Sequence, residues 1–188
     1  MTTVDGCDRR KVYAFVTALV KKGIKVLALD FDLTLISIHS GGVWREGTEK
    51  LASHVRPCMA DLIEIAVDHG LNVCVVTFHR QSWLIRDLLK IALSKKVAGK
   101  VLVQGNSVDL MQRQGVDEFM GKEAHLITVL NEIYTKRHTV IKPEEVILLD
   151  DDEKNVHTAI TFNHWAVLIP EDVTHDSFEG FTRMLLVT

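Results

Sequence analysis

Five apolar runs rich in β-branched residues recur along the chain, at Val26 to Leu29, Leu71 to Val76, Lys100 to Val103, Val146 to Leu149 and Trp165 to Ile169. Between them lie longer stretches with helical spacing: Thr48 to His69, Gln81 to Lys96, Lys122 to Lys136 and Glu153 to Ile160. This alternation predicts an α/β fold, a doubly wound (Rossmann-like) parallel sheet with helices on both faces and right-handed crossovers. Pro57 is expected to break the first helical stretch, because the residue before a proline avoids helical dihedrals and proline suits a first turn. Lys142-Pro143-Glu144-Glu145 reads as a short turn delivering the chain into the fourth strand. The run Val12 to Val20 is too short to span a bilayer, carries basic residues on both sides and is followed by no small-residue cleavage site. It predicts an amphipathic helix over about residues 8–22, packed on the rest.

Length and composition narrow this picture without redirecting it. The 188 residues suit one domain, 1–188, and 47% hydrophobic content is ordinary for a soluble globular protein. No internal repeat, low-complexity tract or Pro/Gly/Ser-rich linker divides the chain. A formal net charge of −3 gives no pull toward nucleic acid or acidic membranes. The weak basic concentration at Arg9, Arg10, Lys11, Lys21, Lys22 and Lys25 is expected to flank a solvated helix. Cys7, Cys58 and Cys74 form no CxxC pair and leave an odd thiol, which fits a reducing compartment, cytoplasmic or nuclear. Cys58 and Cys74 sit in apolar contexts and read as small core residues. The segment His39-Ser40-Gly41-Gly42-Val43-Trp44 is expected to form a small flap, about residues 36–45, as a hairpin over a site or as a plain surface loop. Trp44 could line the entrance or pack inward.

Candidate chemistry gathers where the apolar runs stop. The first ends in Asp30-Phe31-Asp32-Leu33-Thr34, two carboxylates two positions apart; in an extended chain such positions point the same way. Anions held that close need a shared proton, a cation or good solvation. The second run ends in Thr77-Phe78-His79-Arg80 and the fourth in Asp150-Asp151-Asp152. Parallel strands present their carboxyl ends on one edge, so Asp30, Asp32, Thr77, Asp150 and Asp151 should converge there. Such an oxygen-rich, negative cluster suits a hard divalent ion such as Mg²⁺. Each element also has a plainer reading: a turn or cap for Asp30 and Asp32, a solvated helix cap for Asp150 to Asp152, a helix cap for Thr77, and a surface lysine for Lys122.

The order Asp30-Phe31-Asp32-Leu33-Thr34, Thr77, Lys122 and Asp150-Asp151 resembles the four signature motifs of the haloacid dehalogenase (HAD) superfamily. Gly121-Lys122-Glu123-Ala124-His125-Leu126 and Leu149-Asp150-Asp151-Asp152-Glu153-Lys154-Asn155-Val156 are similar to stretches of its magnesium-dependent phosphatases, although Thr77-Phe78-His79-Arg80 stands where smaller residues are expected. The resemblance implies a Mg²⁺-dependent phosphomonoester hydrolase acting through an aspartyl phosphate. Asp30 would be the nucleophile, Asp32 the general acid and base, and Thr77 and Lys122 the phosphoryl-binding residues. Asp30, the main-chain carbonyl of Asp32 and Asp151 would hold the metal. Asp150, Thr34, His79 and Arg80 would support these groups or contact substrate; Arg80 could equally pair with a surface carboxylate.

Neither the interval from Thr34 to Thr77 nor that from Thr77 to Lys122 leaves room for a sizeable cap domain. The resemblance then implies a capless enzyme with an open site, which goes with a phosphoprotein or other macromolecular substrate, a small phosphate ester remaining open. Two alternatives are a phosphoacceptor switch resembling a receiver domain, disfavoured because Lys122 precedes Asp150, and an inactive scaffold on the same fold, disfavoured because no motif residue is missing. Oligomeric state is unassigned.

Overall fold

Every residue of the first apolar run, β1 (Val26–Leu29), is buried, and a strand buried on both sides is what a continuous apolar run without polar alternation encodes. Its side chains part by the strand period of two: Leu27 and Leu29 enter one core cluster, Val26 and Ala28 the other. Around it, the computed structural model, which describes residues 5–107, 110 and 120–187, sets β2 (Asn72–Val76), β3 (Leu102–Gln104), β4 (Val146–Asp150) and β5 (Trp165–Leu168) in a parallel sheet of order β3-β2-β1-β4-β5. The predicted doubly wound parallel sheet is the one observed.

The helices are α1 (Asp5–Lys21), α2 (Thr48–Ala52), α3 (Pro57–Asp68), α4 (Ser82–Ala92), α5 (Lys95–Ala98), α6 (Glu123–Arg137), α7 (Glu153–Thr161) and α8 (Ser177–Val187). On one face Val12, Phe15 and Leu19 of α1 pack with Leu62 of α3, Leu88 of α4 and Phe178 of α8. On the other, Leu126, Val129 and Ile133 of α6 cover Val26, Ala28 and Cys74. Pro57 begins α3, as expected of a first-turn proline. Cys58 and Cys74 are buried free thiols; the side chain of Cys7 lies outside the described residues.

The elements differ from expectation in four places. The helix expected from Gln81 to Lys96 is interrupted at Leu93, whose extended dihedrals end α4. β3 starts two residues later than expected, because Lys100 and Val101 close the turn after α5 by donating to the carbonyls of Val97 and Ala98. The segment 36–45 is no hairpin: Ile36 makes one isolated antiparallel bridge to Val55. Finally, α8 was not anticipated, although Phe178, Phe181 and Leu185 carry helical spacing and Phe178 meets Phe15 edge to face at 5.4 Å.

The basic residues near α1 are turned to internal use. Arg9 pairs with Asp61 and Glu64, Lys11 with Asp176, and Lys25 with Glu145; Lys22 donates to the Leu185 carbonyl and lies over the Trp165 ring. Among the described residues no helix is long and apolar enough to cross a membrane, and no cap-sized insertion stands between Thr34 and Lys122.

Candidate active site

Sheet register brings the sequence-distant acids together. Leu29 pairs with Leu149 and with Val75, so the next residues, Asp30, Asp150 and Val76, stand side by side at the carboxyl edge. The Asp30 amide donates to the Leu149 carbonyl at 2.9 Å and the Thr77 amide to that of Gln104 at 3.0 Å, which fixes both backbones beside the crevice where α/β sheets bind ligands. Beyond Asp30 the strand stops, and Leu33 adopts φ 57°, a left-handed conformation that costs a leucine about 1 kcal/mol or more. The turn begins already at Phe31, whose helical dihedrals separate the two aspartates that a straight strand would have aligned. Asp30 turns to the floor and Asp32 to the flap, though both line one cleft of about 290 Å³.

The floor is an ion cluster. Lys122, 2% exposed and so no surface lysine, donates from Nζ to Asp30 and to Asp150 Oδ2 at 2.7 Å. Gly121 brings it there: its φ is +50°, and a Cβ at that position would press on Asn155 and Thr158 of α7 at 3.3 Å. Asp150 is fully buried rather than a solvated cap, accepting from both the Asn155 amide group (3.2 Å) and the Asp152 backbone amide (2.9 Å); the cap of α7 is Asp152. Burial pushes the Asp30 carboxyl up to about 8, Lys122 opposing and Asp150 adding. Lys122 is held above its ordinary pKa because, although burial works against its charge, Asp30 and Asp150 outweigh it. Carboxylate oxygens of Asp30, Asp150 and Asp151 lie within 4.8 Å of one another. That all-oxygen set, without nitrogen or sulfur donors, fits a hard divalent cation. It includes the Asp150 side chain, whereas the Asp32 carboxylate is engaged elsewhere.

Asp32 forms the link to the flap. Its Oδ1 accepts from the Ser40 backbone amide (3.1 Å) and its Oδ2 from the Ser40 hydroxyl (3.0 Å). The flap is tied in turn to the loop after β2: Arg80 N donates to the Gly42 carbonyl, and the Gln81 side chain bonds both the amide and the carbonyl of Trp44. Trp44 packs on the core, while His39, Gly41 and Gly42 line the cleft. Thr77, buried in the cleft wall, accepts from the His79 amide at 3.1 Å, and the residue preceding α4 is Gln81, so Thr77 caps no helix. Thr34 donates weakly to Asp151 at 3.5 Å. Arg80 is exposed and pairs with no carboxylate among the described residues. Phe78 sits 5.5 Å from Lys122 Nζ and edge to face with His125, whose pKa is pushed down to about 4 by burial and then by Lys122.

Three participants have no role assigned from sequence alone. Asn155 has a local signal, its place in the first turn after β4, five residues past Asp150; Ser40 offers no local pattern. The third is a buried pair, His164 Nε2 to Glu123 Oε2 at 2.9 Å, with His164 Nδ1 on the Pro143 carbonyl at 2.9 Å. Burial lowers the His164 pKa, but the bonds to Glu123 and Pro143 prevail and hold it above the ordinary value. With acceptors at both ring nitrogens the ring is held as imidazolium, anchoring the residue next to Lys122. A group whose pKa is raised by folding stabilises below its unfolded pKa, and that contribution is lost as pH rises through the folded value. Glu123→Gln is therefore expected to cost about 3 kcal/mol in urea unfolding at pH 6 and less at pH 9. A deficit that does not shrink at pH 9 would contradict the ion pair.

No family model and no curated protein matches the chain. Solved structures do. A HAD-superfamily hydrolase from Ehrlichia chaffeensis superposes with TM-score 0.55 at 11% identity, covering 87% of this chain and 98% of that one. The HAD domain of the effector protein Lem4 from Legionella pneumophila, solved as an inactive mutant, gives TM-score 0.53 at 11% identity, over 87% and 93%. The chain has the HAD-like fold.

Proposed function

We propose that the protein is a Mg²⁺-dependent phosphomonoester hydrolase in which Asp30 is the nucleophile. The observation that carries this reading is Lys122 Nζ on the cleft floor between Asp30 and Asp150, beside three carboxylates that converge as a hard-cation cradle. A carboxylate attacking a phosphate dianion is anion meeting anion, so positive charge must stand where the two meet. Asp30, Asp150 and Asp151 would hold Mg²⁺, with the Asp32 carbonyl as a further oxygen; the ion supplies charge neutralisation when bound.

An oxygen of Asp30 attacks phosphorus, the ester P–O bond breaks, and Asp32 gives its proton to the departing oxygen. Water then attacks the same phosphorus while Asp32 takes its proton, and the Asp30–phosphate bond breaks to regenerate the carboxylate. Thr77, in the cleft wall, would bind phosphoryl oxygens through its hydroxyl. The open cleft and the lack of a cap among the described residues favour a phosphoprotein or other macromolecular substrate. The test is hydrolysis of 4-nitrophenyl phosphate with Mg²⁺ and with EDTA. Turnover that EDTA removes and excess Mg²⁺ restores is expected. Inertness under both conditions overturns the reading, and stable phosphorylation by a small phosphodonor without turnover replaces it with a phosphoacceptor switch.

A further inference from the structure

The sheet ends on β5, the last strand in the order β3-β2-β1-β4-β5. It pairs with β4, and beyond it the Ile169 amide donates to the Asp150 carbonyl at 2.9 Å. Peptide groups alternate in direction along a strand, so those of Trp165 and Val167 face β4. The N–H and C=O groups of Ala166 and Leu168 face outward, where no strand pairs with them among the described residues. Edges of this kind are usually guarded by a charged side chain or a proline; Trp165-Ala166-Val167-Leu168 has neither. The flanks are apolar instead. Leu168, 42% exposed, and Ile160 of α7, 54% exposed, line a concavity of about 920 Å³, and a second of about 610 Å³ takes in Ile160, Trp165 and Ala166 with Leu185 of α8. Apolar surface gathered along an unpaired strand marks an interaction site.

We propose that a second copy of the chain covers this edge, β5 running antiparallel to β5 of the other copy about a two-fold axis at Val167. The strand is complementary to itself in that register. Ala166 of each copy stands opposite Leu168 of the other, and opposed residues of this kind exchange both hydrogen bonds in an antiparallel ladder, so every outward donor and acceptor of the two strands is used. The same pairing sets the small alanine against the exposed leucine, on the side that α7 covers. Charge follows the symmetry. Lys154 lines the concavity at the Leu168 end and Glu144 the one at the Trp165 end; both are exposed, and neither has an ion partner among the described residues. Glu153 shares the Leu168 end, but it stands in the first turn of α7, where the helix dipole offsets it. Antiparallel pairing carries each end to its opposite, so Lys154 of each copy meets Glu144 of the other. Two-fold symmetry makes every such contact twice. An unrelated peptide could fill the backbone groups, but the match of register and charged ends is a property of this strand with itself. The pairing is independent of the chemistry in the cleft.

Sedimentation velocity of the full chain over a concentration series tests this. The wild type is expected to reach twice the mass of the chain. Leu168→Lys, at an exposed position, should raise the dissociation constant of the dimer at least about 30-fold while the circular dichroism spectrum stays that of the wild type. Lys154→Glu and Glu144→Lys should each raise it about 10-fold by setting like charges together. The variant carrying both exchanges should recover most of that loss, because the ion pairs return with their signs reversed; local damage to either residue would not be repaired in this way. A wild type that stays monomeric overturns the proposal and leaves the edge to another occupant. A dimer that Leu168→Lys leaves intact puts the seam elsewhere and overturns it as well. Single charge variants that lose nothing, or a double variant that recovers nothing, overturn the antiparallel register. None of these outcomes reads hydrolysis, so failure here leaves the phosphatase reading standing.

Discussion

Lys122→Met is expected to lower hydrolysis of any phosphate ester by about 10³-fold and, in the absence of divalent metal, to destabilise the fold by about 3–5 kcal/mol. Methionine matches the length of the lysine stem, so packing is nearly kept and the charge alone is lost. Removing that charge leaves Asp30 and Asp150, 6% and 0% exposed, facing each other without the cation that both now contact. Lys122 is what opposes the rise of the Asp30 pKa, so without it the folded state must keep the Asp30 proton to higher pH than the wild type does. Because the folded form would bind more protons than the unfolded form between the ordinary carboxylate pKa and the raised one, the variant should lose stability as pH climbs through that window. Urea titrations at pH 5 and pH 8 check this, with the larger deficit expected at pH 8. Mg²⁺ should return part of the deficit by supplying positive charge to the same carboxylates. A variant as stable as wild type in EDTA at pH 8 would mean that Lys122 does not hold the two acids together.

The central strand and its carboxyl-edge acids were readable because burial on both faces leaves a continuous apolar run, and register then does the rest. Once Val26–Leu29 and Val146–Asp150 pair in parallel, Asp30 and Asp150 are neighbours without further information. Asp32 was less readable. Two-residue periodicity holds only while the chain stays extended, and the turn that starts at Phe31 and continues through the positive φ of Leu33 breaks it, leaving the Asp32 carboxylate on Ser40. No turn residue in the sequence marks the bend, which is held by the Leu33 amide on the Ile38 carbonyl and, from farther along the chain, by the Arg56 guanidinium on the Leu33 carbonyl. The Glu123–His164 pair was hidden for a related reason: its members are 41 positions apart, and a lone histidine before a strand has many fates. α8 carried a signal of its own, but its aromatic spacing follows the last strand and touches no motif.

Asp30→Asn is expected to abolish hydrolysis, with a loss of at least about 10⁴-fold, while leaving the metal-free fold as stable as wild type or more so. The amide is nearly isosteric but cannot attack phosphorus, so no covalent intermediate forms. The stability side follows from the cost of the wild-type charge. Burial raises the Asp30 pKa to about 8 against the pull of Lys122, so between the unfolded value near 3.8 and about 8 the folded state holds a proton that the unfolded state releases. Wild-type stability should thus fall as pH rises across that interval, and the asparagine variant, with nothing to ionise there, should show a flatter profile. At pH 8 without metal its melting temperature should equal or exceed the wild type. Mg²⁺ reverses the order, because a ligand at 100 times its dissociation constant stabilises the binding-competent protein by about 2.7 kcal/mol, and the variant offers one carboxylate fewer to the Asp30, Asp150 and Asp151 set. Thermal melts at pH 6 and pH 8, with EDTA and with Mg²⁺, read all of this in one series. Equal Mg²⁺ stabilisation of variant and wild type would remove Asp30 from the metal set, and retained hydrolysis by the variant would remove it as the nucleophile.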